Sequence, residues 1–346
     1  MKINVCSETK ILGMQGEGVN TAFLNCVDLL KEDKQIEVLV NNEGIGDVMH
    51  SHTYGPYFFL RGLRYKGRRI HTVHVIPDSI KGSIPWSKQL MPFVRWYFKK
   101  VFSYADTCIA ISPQVENAIK ELGADTNIVR LNNPVLVDNW KRTFELRQRG
   151  RDILGLKKGE FCVLGVGQLE GRKGVEDFIQ IGKKISNAQF RWIGGRPFGP
   201  MTEGIQKLNK QIKNAPSNIK FAGLFPLEEM PCLYAAADLF LFPSYQENCP
   251  LSPLEAAASG MPVVYRNLFE YKLLYDNEYL RADNNEQFIE IIKKMMKSKE
   301  EYVKGLAISE KMLKQFDKDV IRNKLIEFYS DLMEESVINQ NLNYAV

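Results

Sequence analysis

A rhythm runs through this chain twice, and it leaves few architectures open. Short apolar and β-branched runs at residues 3–6, 36–40, 48–51, 70–75 and 108–111 alternate with helical stretches at 21–30, 57–65, 88–102 and 113–122. Parallel strands need a crossover of about a dozen residues or more, usually a helix, so the alternation specifies a parallel sheet covered by helices. Asn132-Asn133-Pro134 closes the pattern, and residues 138–158 are polar and charged, as a connection between domains would be. The rhythm then restarts, with strands at 161–166, 190–193, 219–221, 239–242 and 263–265 and helices at 175–185, 203–212, 228–236, 254–258 and 285–297.

The two halves share no sequence period, so they are similar folds and not a tandem repeat. The expectation is an α/β protein of two Rossmann-like domains facing each other across a cleft, residues 1–150 and 151–325. A helical segment, 326–346, packs back toward the first domain and frays at its end. With 346 residues, 45% apolar and 25% charged, the chain has material for two cores and is neither a disordered nor a disulfide-scaffold sequence. The cysteines Cys6, Cys26, Cys108, Cys162, Cys232 and Cys249 form no CxxC pair and read as reduced thiols. The start of the chain lacks the apolar core of a signal peptide, and no run reaches the ~18 apolar residues of a membrane span. The reading is a cytoplasmic protein whose membrane contact is peripheral, on the inner face of the cell membrane.

The densest chemistry lies in Phe242-Pro243-Ser244-Tyr245-Gln246-Glu247-Asn248-Cys249-Pro250-Leu251-Ser252-Pro253-Leu254-Glu255 and the following Ala256-Ala257-Ala258-Ser259-Gly260-Met261-Pro262-Val263-Val264. A strand ends at Pro243, a loop carries Glu247, and a helix begins near Ser252 with Pro253 suited to its first turn. Free amides at a helix start, with the helix dipole behind them, favour an anionic phosphate. Carboxylates on either side accept hydrogen bonds from hydroxyls. A sugar nucleotide has this chemistry, although two glutamates flanking a helix start are equally what a solvated surface presents.

Glu-x7-Glu between a strand and a helix, followed by Gly-x-Pro-Val-Val, resembles the donor-site signature of the retaining glycosyltransferases of family 4, which have the GT-B fold. Val166-Gly167-Gln168-Leu169-Glu170-Gly171-Arg172-Lys173-Gly174 resembles that family's diphosphate-binding loop. Asp47-Val48-Met49-His50-Ser51-His52 resembles its N-domain strand, and His71-Thr72-Val73-His74 its active-site histidine strand. The resemblance spans most of the chain, in order. It implies that Glu255 binds the ribose hydroxyls, Glu247 a hydroxyl of the donor sugar, and Arg172 and Lys173 the diphosphate. Asn248, Cys249, Leu251 and Ser252 complete the donor set. His74 lies across the cleft near the sugar, and Gly16 and Gly18 let the first loop approach closely. The catalytic residues are then Glu247, His74 and Lys173.

The family is metal-independent and retains anomeric configuration, so the resemblance implies no metal site and no cofactor beyond the nucleotide-sugar substrate. Cations stabilise the charge that builds on the departing nucleoside diphosphate, whose phosphate takes the acceptor proton. Two residues depart from the family pattern: Gln168 stands where arginine is frequent, and Pro250, which has no amide hydrogen, where glycine is frequent. The phosphate amides then come from neighbours such as Leu251 and Ser252. Asp317-Lys318-Asp319 matches the DxD string of metal-dependent transferases but lies in a helical region away from any strand end, and reads as a solvated helix face. His50, His52 and His71 read as structural or cleft-lining residues.

Charge is unevenly placed. Residues 61–100 hold ten basic side chains and one acid, a net of +9, while the whole chain carries +5. On a helix over 88–102, Lys88, Arg95 and Lys99 fall near one face, while Leu90, Phe93, Val94, Phe98 and Val101 gather toward another. With Trp96 and Lys100, such a helix can lie in the interface of an anionic membrane, or it can be a core helix with a solvated basic face. No nucleic-acid recognition motif accompanies it. Thr53-Tyr54-Gly55-Pro56, the 93–102 stretch, the Arg172-Lys173-Gly174 loop and Val264-Tyr265-Arg266-Asn267-Leu268 look similar to bacterial diacylglycerol glycosyltransferases that make membrane glycolipids. The combined expectation is a hexosyltransferase, a monomer or weak dimer, moving a hexose from UDP-glucose or UDP-galactose to a diacylglycerol-type lipid. Competing readings are the same chemistry on a soluble or polyprenyl-linked saccharide, a GT-B epimerase, and a catalytically silent binding protein.

Overall fold

A computed structural model describes residues 1–9, 18–41, 46–53, 55, 59–60, 62–63, 65–80, 87–196 and 205–344, with 87, 88, 205 and 335–344 described by backbone alone. Gly16 and parts of the helix expected at 57–65 lie outside the described residues. The first sheet contains β1 (Lys2–Cys6), β2 (Glu37–Val40), β3 (Val48–Ser51), β4 (Arg68–Val73), β5 (Thr107–Ala110) and β6 (Asn127–Arg130), in the order β2-β1-β3-β4-β5-β6. The second contains β7 (Cys162–Val166), β8 (Gln189–Ile193), β9 (Ile219–Gly223), β10 (Leu239–Phe242), β11 (Val263–Arg266) and β12 (Leu280–Ala282), in the order β12-β11-β10-β7-β8-β9. Every pairing is parallel. All residues of β3, β5, β10 and β11 are buried, as strands covered by helices on both faces must be. Strand order reverses between β1 and β3 in one lobe, and between β7 and β10 in the other.

The polar stretch expected to be a loose connection is largely a docked helix, Phe144–Ile153. Its arginines satisfy the carbonyls that end the helix Met230–Ala236: Arg147 Nη1 donates to Ala235 O at 2.9 Å, and Arg151 Nη1 to Ala236 O at 3.1 Å. Arg147 also pairs with Asp238 at 2.6 Å. A Cβ on Gly150 would lie 1.8 Å from Cys232 O, so glycine lets the two helices touch. The boundary placed at 150/151 therefore falls inside a helix of the second lobe, because charges that look solvated in sequence have carbonyl partners far along the chain.

The helix Lys318–Tyr344 returns to the first lobe and buries Ile321, Leu325, Tyr329 and Leu332 against the cluster around Ile3, Phe23 and Val48. Lys318 and Arg322 pair with Glu32 at 3.0 and 2.6 Å. The boundary placed at 325/326 also falls within this helix. Asp317 Oδ1 accepts from Asp319 N at 2.9 Å, so Asp317 of the Asp317-Lys318-Asp319 string caps the helix start and is not part of a merely solvated face. Val135 N donates to Phe316 O at 3.1 Å, which sets the outgoing and returning crossings side by side. One apolar cluster runs through both lobes, joining Ala22, Val73 and Ile76 to Cys249, Leu251 and Leu254. All six cysteines are free and buried.

Candidate active site

Open parallel sheets bind ligands beyond the carboxyl ends of their strands, at the point where strand order reverses. In the second lobe that point lies between β7 and β10, and the loops leaving those two strands carry Lys173 and Glu247. Gly174 brings the loops together: its φ is +72°, and a Cβ there would lie 2.2 Å from Pro243 O. Tyr245 N donates to Arg172 O at 2.8 Å and Ser244 Oγ to the same carbonyl at 3.1 Å, stitching one loop to the other.

Glu247 is buried at this junction. Its Oε1 accepts from Lys173 Nζ at 2.6 Å and from Ser244 Oγ at 2.7 Å, and its Oε2 lies 4.0 Å from Arg172 Nη1. Burial pushes its pKa up, but the charges of Lys173 and Arg172, with the hydrogen bonds from Lys173 and Ser244, outweigh burial and hold the carboxyl below its ordinary value. Arg172 donates to Gln246 O at 2.9 Å and to Glu170 Oε1 at 2.6 Å. Its Nε and Glu170 Oε2 are buried with no hydrogen-bond partner. Two cations and a carboxylate thus meet where an anionic, hydroxyl-bearing ligand would enter.

Glu255 is in a different setting. On the helix Leu251–Ala258, its Oε2 accepts from Tyr234 Oη at 2.7 Å. Burial pushes its carboxyl up to about 7, against the opposing effect of that hydrogen bond. The structure gives Glu255 no contact with Glu247, Arg172 or Lys173. The first turn of its helix nevertheless meets the end of β7, where Ser252 Oγ donates to Val166 O at 3.4 Å.

Four expected donor residues have other surroundings. The side chains of Cys249 and Leu251 are buried in the apolar cluster, so donor contacts from them would be through backbone. Asn248 reaches across to the first lobe, its Nδ2 donating to His74 O at 2.9 Å and to Ser79 Oγ at 3.0 Å. Gly18 opens the helix Gly18–Lys31 and has open space around it, so it makes no close approach among the described residues.

His74 follows β4, and its Nε2 lies 3.0 Å from His52 Nδ1, the rings stacked with centroids 5.2 Å apart. His50 sits between Tyr329 Oη and Thr72 Oγ1, and His71 Nδ1 lies 2.7 Å from Ser51 Oγ. Burial holds all four imidazoles neutral, pushing His74 and His50 down to about 3 and His71 to about 4, with His52 lowered as well. Cys26 Sγ and one ring nitrogen each of His50 and His52 lie within 4.8 Å of one another. Both nitrogens of His50 are engaged, so an ion there would have to break one of those hydrogen bonds. Sequence reasoning missed the support given by Tyr234, Glu170, Ser244 and Tyr329. The alternation of His50 with His52 and of Thr72 with His74, on adjacent strands in register Ser51↔His71, was a readable sign that these four share a face.

The helix Ser87–Tyr104 divides its apolar residues between two faces. Phe98, Val101 and Phe102 are buried, whereas Leu90, Phe93 and Trp96 are 47%, 63% and 55% exposed. Leu90 and Phe93, grouped with Phe98 and Val101 by sequence, instead turn outward with the exposed Arg95, Lys99 and Lys100. The side chain of Lys88 lies outside the described residues. Among the described residues no helix is long and apolar enough to cross a membrane.

Two cations and a carboxylate at a sheet reversal, facing a second α/β lobe, narrow the class of protein, and comparison with known proteins names it. The family described as "Glycosyl transferases group 1" matches residues 160–298, and "Glycosyltransferase Family 4" matches residues 43–139. The alpha-galactosylglucosyldiacylglycerol synthase of Streptococcus pneumoniae is 32% identical over 298 residues, covering 84% of this chain and 79% of that protein. The processive diacylglycerol alpha-glucosyltransferase of Acholeplasma laidlawii is 28% identical over 226 residues, covering 64% of this chain and 67% of its own. Among solved structures, HepE of Anabaena in complex with UDP and glucose superposes with a TM-score of 0.76 at 16% identity, over 96% of this chain and 100% of that one. The fold is GT-B. The chain belongs to the family 4 glycosyltransferases and is a glycosyl-transferring enzyme.

Proposed function

We propose that this enzyme moves a hexose from UDP-glucose or UDP-galactose to a diacylglycerol-type lipid, with retention of configuration and without a metal, while bound peripherally to the inner face of the cell membrane. The observation that carries the donor half is the convergence of Arg172, Lys173 and Glu247 at the β7/β10 reversal. A bound diphosphate takes the place Lys173 now gives to Glu247, and Arg172 and Lys173 stabilise the charge that grows as the nucleoside diphosphate leaves. Glu247, released from Lys173, accepts a hexose hydroxyl. Glu255 accepts from the ribose, its ionisation favoured when hydroxyls replace part of the water it has lost. Asn248 holds the Glu247 loop against the His74 backbone, so both edges of the sugar are gripped by groups whose spacing is already set.

The acceptor half is supported by the exposed apolar and cationic face of Ser87–Tyr104. Aromatic burial and ~1 kcal/mol per basic residue near an anionic surface suffice for reversible membrane docking. The two relatives from Streptococcus pneumoniae and Acholeplasma laidlawii are both named for diacylglycerol glycolipids, which supports the same acceptor class here. The test incubates purified protein with UDP- and GDP-sugars and mixed vesicles of diacylglycerol and anionic phospholipid, then identifies products by mass spectrometry. A new glycolipid is expected. Glycosylation of soluble or polyprenyl-linked saccharides alone, a changed sugar nucleotide without acceptor, or no release of nucleoside diphosphate would each overturn the proposal.

A further inference from the structure

We infer that His52 sets the tautomer of His74, so that His74 turns an Nδ1–H donor, and not a bare nitrogen, toward a ligand in the cleft. The tautomer follows from the surroundings of His52; that the ligand is a donor sugar rests on the proposed function.

Between His52 Nδ1 and His74 Nε2, 3.0 Å apart, there is room for one proton. It can reside on either ring, and the two arrangements have different consequences at the far side of His52. If His74 Nε2–H donates, neutral His52 must carry its own proton on Nε2. That atom is buried and has no hydrogen-bond partner among the described residues, so the result is an orphaned N–H. If His52 Nδ1–H donates, Nε2 of His52 is left as a lone pair. A buried N–H without an acceptor is costly and rare in folded proteins, whereas an unfilled acceptor is better tolerated.

The surroundings of His52 favour the second arrangement. The ring of Phe23 packs edge-on against it at 5.8 Å, offering no acceptor oxygen. The Cys26 thiol, grouped with His50 and His52 within 4.8 Å, is pushed up to about 12 by burial, so it keeps its proton and presents a weak donor. Both nitrogens of His50 are taken by hydroxyls. His52 therefore gives its proton to His74 Nε2, and neutral His74 must hold its own on Nδ1. Among the described residues this is the only side-chain hydrogen bond of His74, and its ring is partly exposed, so Nδ1 is the nitrogen left for a ligand. Neutral histidine free in water favours the Nε2–H form, so the neighbour reverses the intrinsic preference. His52 is thus a positioning residue: it touches no substrate and acts through His74.

The chain has four histidines, so ring-15N-histidine NMR of the full-length protein at pH 7.5 is tractable, with the His74 signals assigned by their loss in His74→Asn. The expected spectrum has a protonated Nδ1 and an unprotonated Nε2 on His74. A protonated Nε2 on His74 in the wild-type protein would overturn the inference. His52→Leu removes the donor and is expected to return His74 to a tautomer mixture and lower kcat/KM for UDP-hexose about tenfold, while His52→Asn, whose amide can donate, stays within about threefold of wild type. If His52→Leu leaves both the His74 spectrum and the rate unchanged, the positioning role is wrong. The spectrum needs no substrate, so its outcome stands apart from that of the glycolipid assay.

Discussion

In the second lobe a buried carboxylate, Glu247, lies 2.6 Å from a lysine and 4.0 Å from an arginine, and is kept charged. In the first lobe three buried histidines, His50, His52 and His71, and the partly exposed His74 hydrogen-bond to one another and to hydroxyls, and are kept neutral. Burial acts in the same direction on both sets, against the charged form. What differs is the company: cations outweigh burial around Glu247, while among the described residues the histidines are bonded to hydroxyls and to one another and not to a carboxylate. On the surface of the first lobe Arg95, Lys99 and Lys100 are exposed on the same helix as the exposed Leu90, Phe93 and Trp96. One lobe is built to receive charge inside, the other to meet it outside.

The hardest blow to this contrast is Lys173→Ala. It removes a leaving-group cation and strands a buried carboxylate, so kcat should fall about 100-fold and stability by roughly 3 kcal/mol. Combining it with Glu247→Gln should restore stability in urea melts but not transfer; restored transfer would mean that the pair is structural. Next in size, Lys99→Glu with Lys100→Glu should weaken sedimentation with anionic vesicles about thirtyfold or more, from ~1 kcal/mol per charge lost and the repulsion added. Unchanged sedimentation at low salt would leave the helix face without a role. Asn248→Ala, which cuts the tie between the lobes, should lower kcat/KM for the donor about tenfold, with little change in vesicle binding.

The smallest effects concern pH. The folded histidines have values near 3 to 4 against an ordinary 6.5, so the unfolded chain binds more protons and stability falls as pH drops from about 6.5 toward 4. Hydrogen exchange at pH 5 should therefore show the first lobe opening first. Glu247 adds to acid loss, since its lowered pKa gives stability that disappears as pH falls through the folded value. Glu255 works in the other direction. Raised from 4.5 to about 7, it contributes stability that is full below 4.5 and lost as pH rises to about 7. Denaturation midpoints of Glu255→Gln should lose that slope between pH 5 and 7, and an unchanged slope would assign it elsewhere.

Much of this was legible in the sequence for physical reasons. A strand such as β10, covered on both faces, is an unbroken apolar run, and the residues that follow it must form the rim where ligands bind. Arg172, Lys173 and Glu247 could be named through the resemblance to family 4 donor loops, and they do lie a few positions beyond strand ends. What spacing does not encode is the partner. The helix Phe144–Ile153 looks like a solvated linker until Arg151 meets a carbonyl 85 positions away. His50 meets Tyr329 across 279 positions, and Glu255 meets Tyr234 and not the cations. Leu90 and Phe93 turn outward, while Phe98, Val101 and Phe102, with Val94 and Tyr97 beside them, seat the helix on the core.

Hydrogen exchange measured with UDP-glucose and then with anionic diacylglycerol vesicles tests the division between the lobes most directly. UDP-glucose should slow exchange in residues 166–174 and 244–258 of the second lobe, and vesicles should slow it in the helix Ser87–Tyr104 of the first. Protection of both regions by either ligand alone, or vesicle protection confined to the second lobe, would contradict it.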